Sequence, residues 1–153
     1  MTDDRRIPSP ALILGLAGLI PFVWSAATGL WLPLAGWAGE ILSPMFIGRV
    51  VGVTYGTVIL SFMSGALWGF AARADRGTAP VAYALSVIPA LWAFAMVTDA
   101  SETSVIFLAA GFGGLLLIDA AFSGWDLAPG WWLRLRVLLT AGVLVCLLLP
   151  LAV

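Results

Sequence analysis

One acidic residue lies inside an otherwise apolar stretch and is the clearest candidate for chemistry. Asp119 falls in the run 103–123, about one helical turn from its end, and Arg134 and Arg136 open the next apolar run. If these runs cross a membrane, a charged side chain within them is costly and is usually paired. We therefore predict an ion pair between Asp119 and Arg134 or Arg136 that joins two helices. The alternative is a proton or cation site, although a lone acid at shallow depth makes a weak relay.

The chain lacks most of the side chains that catalysis and metal binding use. It has no histidine, and its one cysteine, Cys146, lies in an apolar run. These counts exclude zinc sites of the Cys/His type, His-ligated haem and disulfides within the chain, and they remove the most common general base. The net charge of −1 lacks the excess of basic residues that is typical of nucleic-acid-binding proteins. We expect no catalysis, no cofactor, no metal and no nucleic-acid partner.

The composition requires lipid as the solvent. Hydrophobic residues make up 62% of the 153 residues and charged residues only 10%, whereas a soluble domain carries about 25% charged residues. Five apolar runs are long enough to cross roughly 30 Å of hydrocarbon at about 20 residues each. They lie near 11–32, 47–72, 79–98, 103–123 and 134–152. The sequence predicts an all-α membrane protein that forms a single transmembrane bundle over residues 1–153.

The arginines predict the orientation of the bundle. If the spans alternate in direction, six of the seven basic residues share one side: Arg5, Arg6, Arg73, Arg76, Arg134 and Arg136. The other side receives only Arg49. Basic residues concentrate in cytoplasmic loops. We therefore expect the N-terminus in the cytoplasm and the C-terminus outside.

Small residues recur every four positions along the second span. Two series form slanting grooves on a helix of 3.6 residues per turn, and the grooves point about 140° apart. The first series is Gly48, Gly52 and Gly56, and the second is Ser61, Gly65 and Gly69. Such grooves let helix backbones approach closely in lipid. We predict that both pack against neighbouring helices and that span 2 is the central helix. Two other interpretations are backbone exposed to a ligand and the ordinary glycine content of membrane helices.

Two prolines lie midway along spans 1 and 3 in similar local sequences. Pro21 stands in GLIPF and Pro89 in SVIPA, and each frees a backbone carbonyl one turn earlier and is expected to kink its helix. Paired broken helices build the midplane sites of some transporters. Polar side chains that could line such a site are Thr54, Tyr55, Ser61, Ser64 and Ser86.

Most of the eight tryptophans fall where an aromatic belt would lie at the membrane surface. We place Trp24, Trp31 and Trp37 near the outer surface and Trp68, Trp125, Trp131 and Trp132 near the cytoplasmic surface, with Trp92 deeper. These interfacial aromatics predict contact with membrane lipids. The apolar segment 33–46 is interpreted as an outer loop that dips into the membrane interface or meets a partner.

Several segments in order resemble a small family of uncharacterised multipass proteins. They are GLIPF (18–22), YGTVILSFMSGALWG (55–69), SVIPALWAF (86–94), Asp119, and APGWWLRLRVLLT (128–140). The family occurs in bacterial inner membranes and includes the mitochondrial transmembrane protein 69. The resemblance implies a helical inner-membrane protein and brings no established activity. The family often has histidine where this chain has Leu67, so any chemistry of that histidine is absent here.

Three classes of function follow from these observations. The first is a non-catalytic accessory or assembly subunit of a larger inner-membrane complex, with an energy-converting complex as the natural host, acting by helix packing and lipid contact. The second is a small-solute or ion transporter with a midplane site at the proline-kinked spans 1 and 3. The third, least favoured, is an enzyme on a lipid or quinone, in which Asp119, Arg134 and Arg136 grip an anionic headgroup. We expect other membrane-protein subunits as partners.

Overall fold

A computed structural model describes residues 6–153, which form helices and contain no strand. The α-helices within this range are α1 (Ser9–Ala17), α2 (Ile20–Leu30), α3 (Leu32–Ile41), α4 (Gly48–Ala71), α5 (Ala79–Met96), α6 (Glu102–Gly124) and α7 (Trp132–Ala152). A 3₁₀ turn occupies Pro44–Phe46. Arg5, which contributed to the predicted orientation, lies outside the described residues.

Five of the helical segments are long and apolar enough to cross a membrane. They are Ser9–Leu30, which combines α1 and α2, followed by α4, α5, α6 and α7. Each begins and ends within a few residues of the predicted span. The protein is therefore an all-α, multipass membrane protein, as its hydropathy predicts.

The first span is interrupted just before Pro21. Helix α1 ends at Ala17, and the Gly18 N–H bonds to the Leu14 carbonyl while the Leu19 N–H bonds to the Leu16 carbonyl. Pro21 has no N–H to reach the carbonyl one turn earlier, so the regular helix restarts only at Ile20. Helix α5, in contrast, continues through Pro89 without interruption, so the symmetry expected between the two prolines is not found.

The segment interpreted as an outer loop is largely helical. Helix α3 starts directly after Trp31, with Pro33 in its first turn, where a missing N–H costs nothing. It packs against α2. The segment 33–46 is therefore not a loop throughout, because its first part forms α3.

Helices α4 and α6 share the centre of the bundle. The spans α2, α4, α5, α6 and α7 form a ring in which each packs against the next and α7 returns to α2, while α4 and α6 also contact each other across it. These two helices are also the most buried of the five spans. Span 2 is thus central, as predicted, but it shares that position with span 4.

The first groove of α4 packs tightly against the chain. A Cβ at Gly52 would collide with the Ser25 side chain of α2, and a Cβ at Gly56 would lie 2.6 Å from Leu108 Cδ2 and 3.2 Å from Phe22 Cε1. Gly48 acts differently. It starts the helix with a φ of +55°, which glycine adopts without strain, and it bonds to α2 through Thr28 Oγ1 and Ser25 Oγ.

The second groove of α4 does not pack against the chain. Ser61, Gly65 and Gly69 are exposed, and in the part of the chain that the structure describes no atom beyond the nearby backbone of α4 lies within 4 Å of a Cβ built on either glycine. The prediction that this groove holds a neighbouring helix of the same chain was therefore wrong. The groove turns away because the face of α4 that carries Leu60, Met63, Ser64 and Leu67 is the buried one.

The start of α6 is capped by the side chain of Ser101, a residue type that favours this position. Ser101 Oγ accepts a hydrogen bond from the Ser104 N–H at 3.2 Å, with Glu102 in the first turn. Asp99 reinforces this cap, because its Oδ1 accepts hydrogen bonds from Ser101 Oγ at 2.6 Å and Ser104 Oγ at 2.7 Å. These bonds to the charged form lower the Asp99 pKa to about 2.

Candidate functional site

The buried carboxylate of Asp119 ties α6 to α7. Its Oδ2 accepts a hydrogen bond from Arg136 Nε at 2.8 Å, and its Oδ1 accepts one from Trp132 Nε1 at 2.7 Å. Asp119 has no exposed surface, and Arg136 is only 4% exposed. Both carboxylate oxygens are therefore satisfied within the chain by a charged and a neutral donor.

The turn between α6 and α7 sets which donors reach Asp119. After α6 ends at Gly124, Asp126 takes a φ of +55° and the Leu127 N–H bonds back to the Phe122 carbonyl. Helix α7 then begins at Trp132. Residues four apart lie on the same face of a helix, so Trp132 and Arg136 point together toward the end of α6.

Of the two arginines that the sequence offers, Arg136 is the one that pairs with Asp119. Arg134 lies two residues earlier, roughly 200° around the helix, and is exposed. It lines a surface cleft of about 930 Å³ together with Arg73 and Asp126. The three residues grouped in the sequence as one site therefore separate into a buried pair and a surface arginine.

Burial makes the Asp119–Arg136 pair sensitive to the loss of either partner. Two charges removed from solvent are held by their mutual attraction and by hydrogen bonds, and removing one partner of such a pair typically costs about 3–5 kcal/mol. The role of Trp132 was not predicted, because its position suggested the membrane interface. The spacing of Trp132 and Arg136 by one turn was the available signal.

A partly open cavity of about 270 Å³ lies beside the ion pair. Its walls come from α1 and the break that follows it, and from α2, α4, α6 and α7. Most of the lining is apolar, and the polar side chains on it are Tyr55, Arg136 and Thr140. Two buried polar atoms of its lining residues, Arg136 Nη2 and Thr140 Oγ1, have no hydrogen-bond partner within residues 6–153. An unsatisfied buried donor typically costs about 1–3 kcal/mol, so these two atoms mark the cavity as unusual.

Aromatic rings form one wall of this cavity. The Phe22 ring meets the Tyr55 ring edge-on at a centroid distance of 5.2 Å and the Phe112 ring at 6.0 Å. All three residues line the cavity. The site thus combines an aromatic wall with hydrogen-bond donors from α7.

The polar residues suggested for a transporter do not converge at one place. Ser64 Oγ donates to the Ser86 carbonyl, and Ser86 Oγ donates to the Tyr83 carbonyl at 2.7 Å, so both are used within the α4–α5 contact. Ser61 and Thr54 are exposed. Pro89 is buried in α5, and Pro21 lines a shallow depression beside Phe46 and Val51.

The tryptophans divide between surface and internal contacts. Trp31, Trp37, Trp68 and Trp125 are exposed, as an aromatic belt requires, and Trp131 is half-buried. Trp24 Nε1 donates to the Phe46 carbonyl and Trp92 Nε1 to the Phe107 carbonyl, each at 2.7 Å. Among residues 6–153, no group of three His, Cys, Asp or Glu side chains is arranged to hold a metal ion.

Comparison with known proteins places the chain among membrane proteins without an assigned activity. Residues 7–152 match the family described as "Protein of unknown function (DUF3429)". The chain is 34% identical over 144 residues to Transmembrane protein 69 of Xenopus tropicalis, and the match covers 89% of the chain and 51% of that protein. It thus spans about half the length of this curated relative. No solved structure matches the chain.

Proposed function

The chain belongs to the family of unknown function DUF3429, and from that premise we propose that it is a non-catalytic accessory or assembly subunit of a larger membrane complex. It acts by helix packing and lipid contact. The resemblance to a mitochondrial protein favours an energy-converting complex of a bacterial inner membrane as the host. The choice of host rests on analogy with a relative and not on a feature of the site itself.

The observation that carries this proposal is the groove Ser61–Gly65–Gly69, which we call the open groove. Apart from the nearby backbone of α4 itself, no atom of residues 6–153 lies within 4 Å of the Cβ positions of its two glycines. Small residues at this spacing permit close approach of a second helix. In lipid the hydrophobic effect does not drive helices together, so close packing of this kind supplies much of the association energy. The bundle does not use this surface for itself. A transmembrane helix of another subunit is the occupant that the surface fits.

Helix α3 provides a second surface of the kind that a subunit contact would use. It lies beside α2, outside the ring of spans, and exposes Trp37 and Ile41. Aromatic residues are enriched in the buried centres of protein interfaces. This surface supports the subunit proposal. The transporter alternative has less support, because the Ser64 and Ser86 hydroxyls are used within the α4–α5 contact and Ser61 is exposed on the outside of the bundle.

The test is affinity capture of the tagged chain from native membranes in a mild detergent, followed by mass spectrometry. We expect a partner protein at a constant ratio to the chain. The variant Gly65→Leu should lose that partner, because its side chain would fill the open groove.

Gly114→Leu is the matched control, because Gly114 is also an exposed helical glycine with no atom near its Cβ position. It should retain the partner. Recovery of the chain without any stoichiometric partner would overturn the subunit proposal. Equal capture by Gly65→Leu and Gly114→Leu would show that the partner binds elsewhere.

A further inference from the structure

Two residues that line the cavity beside the ion pair carry hydrogen-bond donors that the described residues of the chain do not satisfy. Arg136 is 4% exposed and Thr140 is 2% exposed, and both line the cavity while Arg136 Nη2 and Thr140 Oγ1 lack partners. A guanidinium group can only donate hydrogen bonds, and a hydroxyl can donate or accept. The complement of this pair is an acceptor oxygen supplied from outside the chain.

The charge of the site favours a neutral acceptor. The Asp119 carboxylate already balances the Arg136 guanidinium at 2.8 Å. An anionic ligand would leave a net negative charge in a region of low dielectric, which is strongly unfavourable. A neutral carbonyl oxygen accepts hydrogen bonds without that cost. The remaining lining is apolar or aromatic, which suits the body of a membrane-soluble molecule.

The position of the cavity gives such a molecule access from the membrane. Leu14 on α1 and Phe62 on α4 belong to its lining and are 73% and 68% exposed. Gly18, in the break between α1 and α2, also lies on the wall. The volume of about 270 Å³ is near the lower limit of roughly 300 Å³ for small-molecule pockets. It suits one ring or one chain segment rather than a whole lipid.

We propose that this cavity binds a neutral, membrane-soluble molecule through a carbonyl oxygen that accepts hydrogen bonds from Arg136 Nη2 and the Thr140 hydroxyl. Two molecules of the membrane carry such an oxygen: the head of a quinone and the ester of a glycerolipid. The aromatic wall formed by Phe22, Tyr55 and Phe112 would contact the adjoining apolar part. This binding does not depend on the role as an accessory subunit.

The test measures thermal unfolding of the full chain, purified in a mild detergent, by circular dichroism with added probes. One pair of probes is a benzoquinone with a decyl tail and decylbenzene, which lacks the carbonyl groups. The other pair is a dioleoyl phosphatidylcholine with ester linkages and its diether analogue. We expect the carbonyl-bearing member of at least one pair to raise the midpoint more than its analogue does. The pair that responds identifies the source of the carbonyl.

Thr140→Val tests the contact itself, because it removes the hydroxyl and keeps the shape of the side chain. It should weaken the apparent affinity for the active probe by roughly two- to tenfold, the usual value of one hydrogen bond. The control is Thr57→Val. Thr57 Oγ1 donates to the Val53 carbonyl within α4, and Thr57 is not among the residues that line the cavity.

Gly18→Leu tests the cavity by filling it. Gly18 has a right-handed helical conformation. A Cβ at Gly18 would lie 3.1 Å from the Gly15 carbonyl oxygen, which must shift slightly, and 3.7 Å from Tyr55 Oη, the nearest side-chain atom. The variant should abolish the shift caused by the active probe, whereas Gly114→Leu should retain it. Equal shifts within both probe pairs, or equal weakening by Thr140→Val and Thr57→Val, would overturn the proposal.

Discussion

At the scale of single residues, Asp119 is a fully buried acid whose carboxylate is held by hydrogen bonds to both of its oxygens. Its two oxygens bind donors from two positions one turn apart on α7, at 2.7 and 2.8 Å. Buried ion pairs are often no more stabilising than apolar residues of similar volume, but they are strongly destabilising when half of the pair is removed. We therefore expect the pair to favour one arrangement of α6 against α7.

We predict that Asp119→Asn lowers the stability of the purified protein by about 3–5 kcal/mol, because it leaves the Arg136 charge buried without its counter-ion. Thermal unfolding in detergent would measure the loss. Asp126→Asn is the control, since Asp126 is exposed and asparagine tolerates its positive φ.

Replacing both partners, with Asp119→Leu and Arg136→Met together, should recover much of the stability lost in Asp119→Asn, because no buried charge then remains. If Asp119→Asn unfolds at the same temperature as the unmodified protein, the pair does not hold α6 against α7. A lost activity at unchanged stability would favour a proton or ion site at Asp119.

At the scale of elements, α4 has two grooves of small residues, of which the first is packed against other helices and the second is exposed. Gly52 and Gly56 admit the side chains of Ser25, Phe22 and Leu108, whereas the open groove faces away from the bundle. Close packing is the main source of helix association in lipid. The first groove therefore stabilises the fold, and the second is available for a partner.

We predict opposite effects of the same substitution in the two grooves. Gly52→Ala should destabilise the protein by about 1–3 kcal/mol, the usual cost of overpacking, because its Cβ would collide with Ser25, which is held by its hydrogen bond to the Gly48 carbonyl. Gly65→Ala should be neutral or stabilising by up to about 1 kcal/mol, because alanine is the better helix former.

The midpoint of chemical denaturation in mixed detergent micelles would compare the two variants. A neutral Gly52→Ala would mean that α2 can move away from α4 without cost. A destabilising Gly65→Ala would mean that the open groove is occupied within the chain.

At the scale of the whole molecule, charge is distributed unequally between the two ends of the bundle. Arg73, Arg76 and Arg134 lie at the end that holds the α4–α5 and α6–α7 turns, whereas the opposite end carries Arg49, which pairs with Glu102 at 3.1 Å, and Asp99. We propose that the arginine-rich end faces the cytoplasm, in keeping with the bias of basic residues.

We predict that Thr98→Cys, between α5 and α6, reacts with a membrane-impermeant maleimide in intact cells. Ala72→Cys, at the end of α4, should react only after the membrane is permeabilised. Both positions are exposed, and Cys146→Ala removes the native thiol from the background. Labelling in the reverse order would show that the arginine bias does not set the orientation of this protein.

The sequence by itself determined the features that depend on local composition. Hydropathy and length define the five spans, the serine at position 101 predicts the cap of α6, and an acid in an apolar run requires a partner such as Arg136. These features depend on the residues near each position and on the solvent that apolar side chains select. The membership of the family follows from the same information.

The tertiary structure decided which faces meet, because the direction of a helix face depends on residues distant in sequence. In the folded bundle Arg136 is the arginine that pairs with Asp119, and Trp132 donates a hydrogen bond to the same carboxylate. The open groove lies on the outer surface of the bundle. The tertiary structure also created the cavity, whose walls come from several helices and from the break before Pro21. A pattern of small residues predicts that a helix can pack closely against another helix. Which helix or side chain fills the groove is determined only by the assembled bundle.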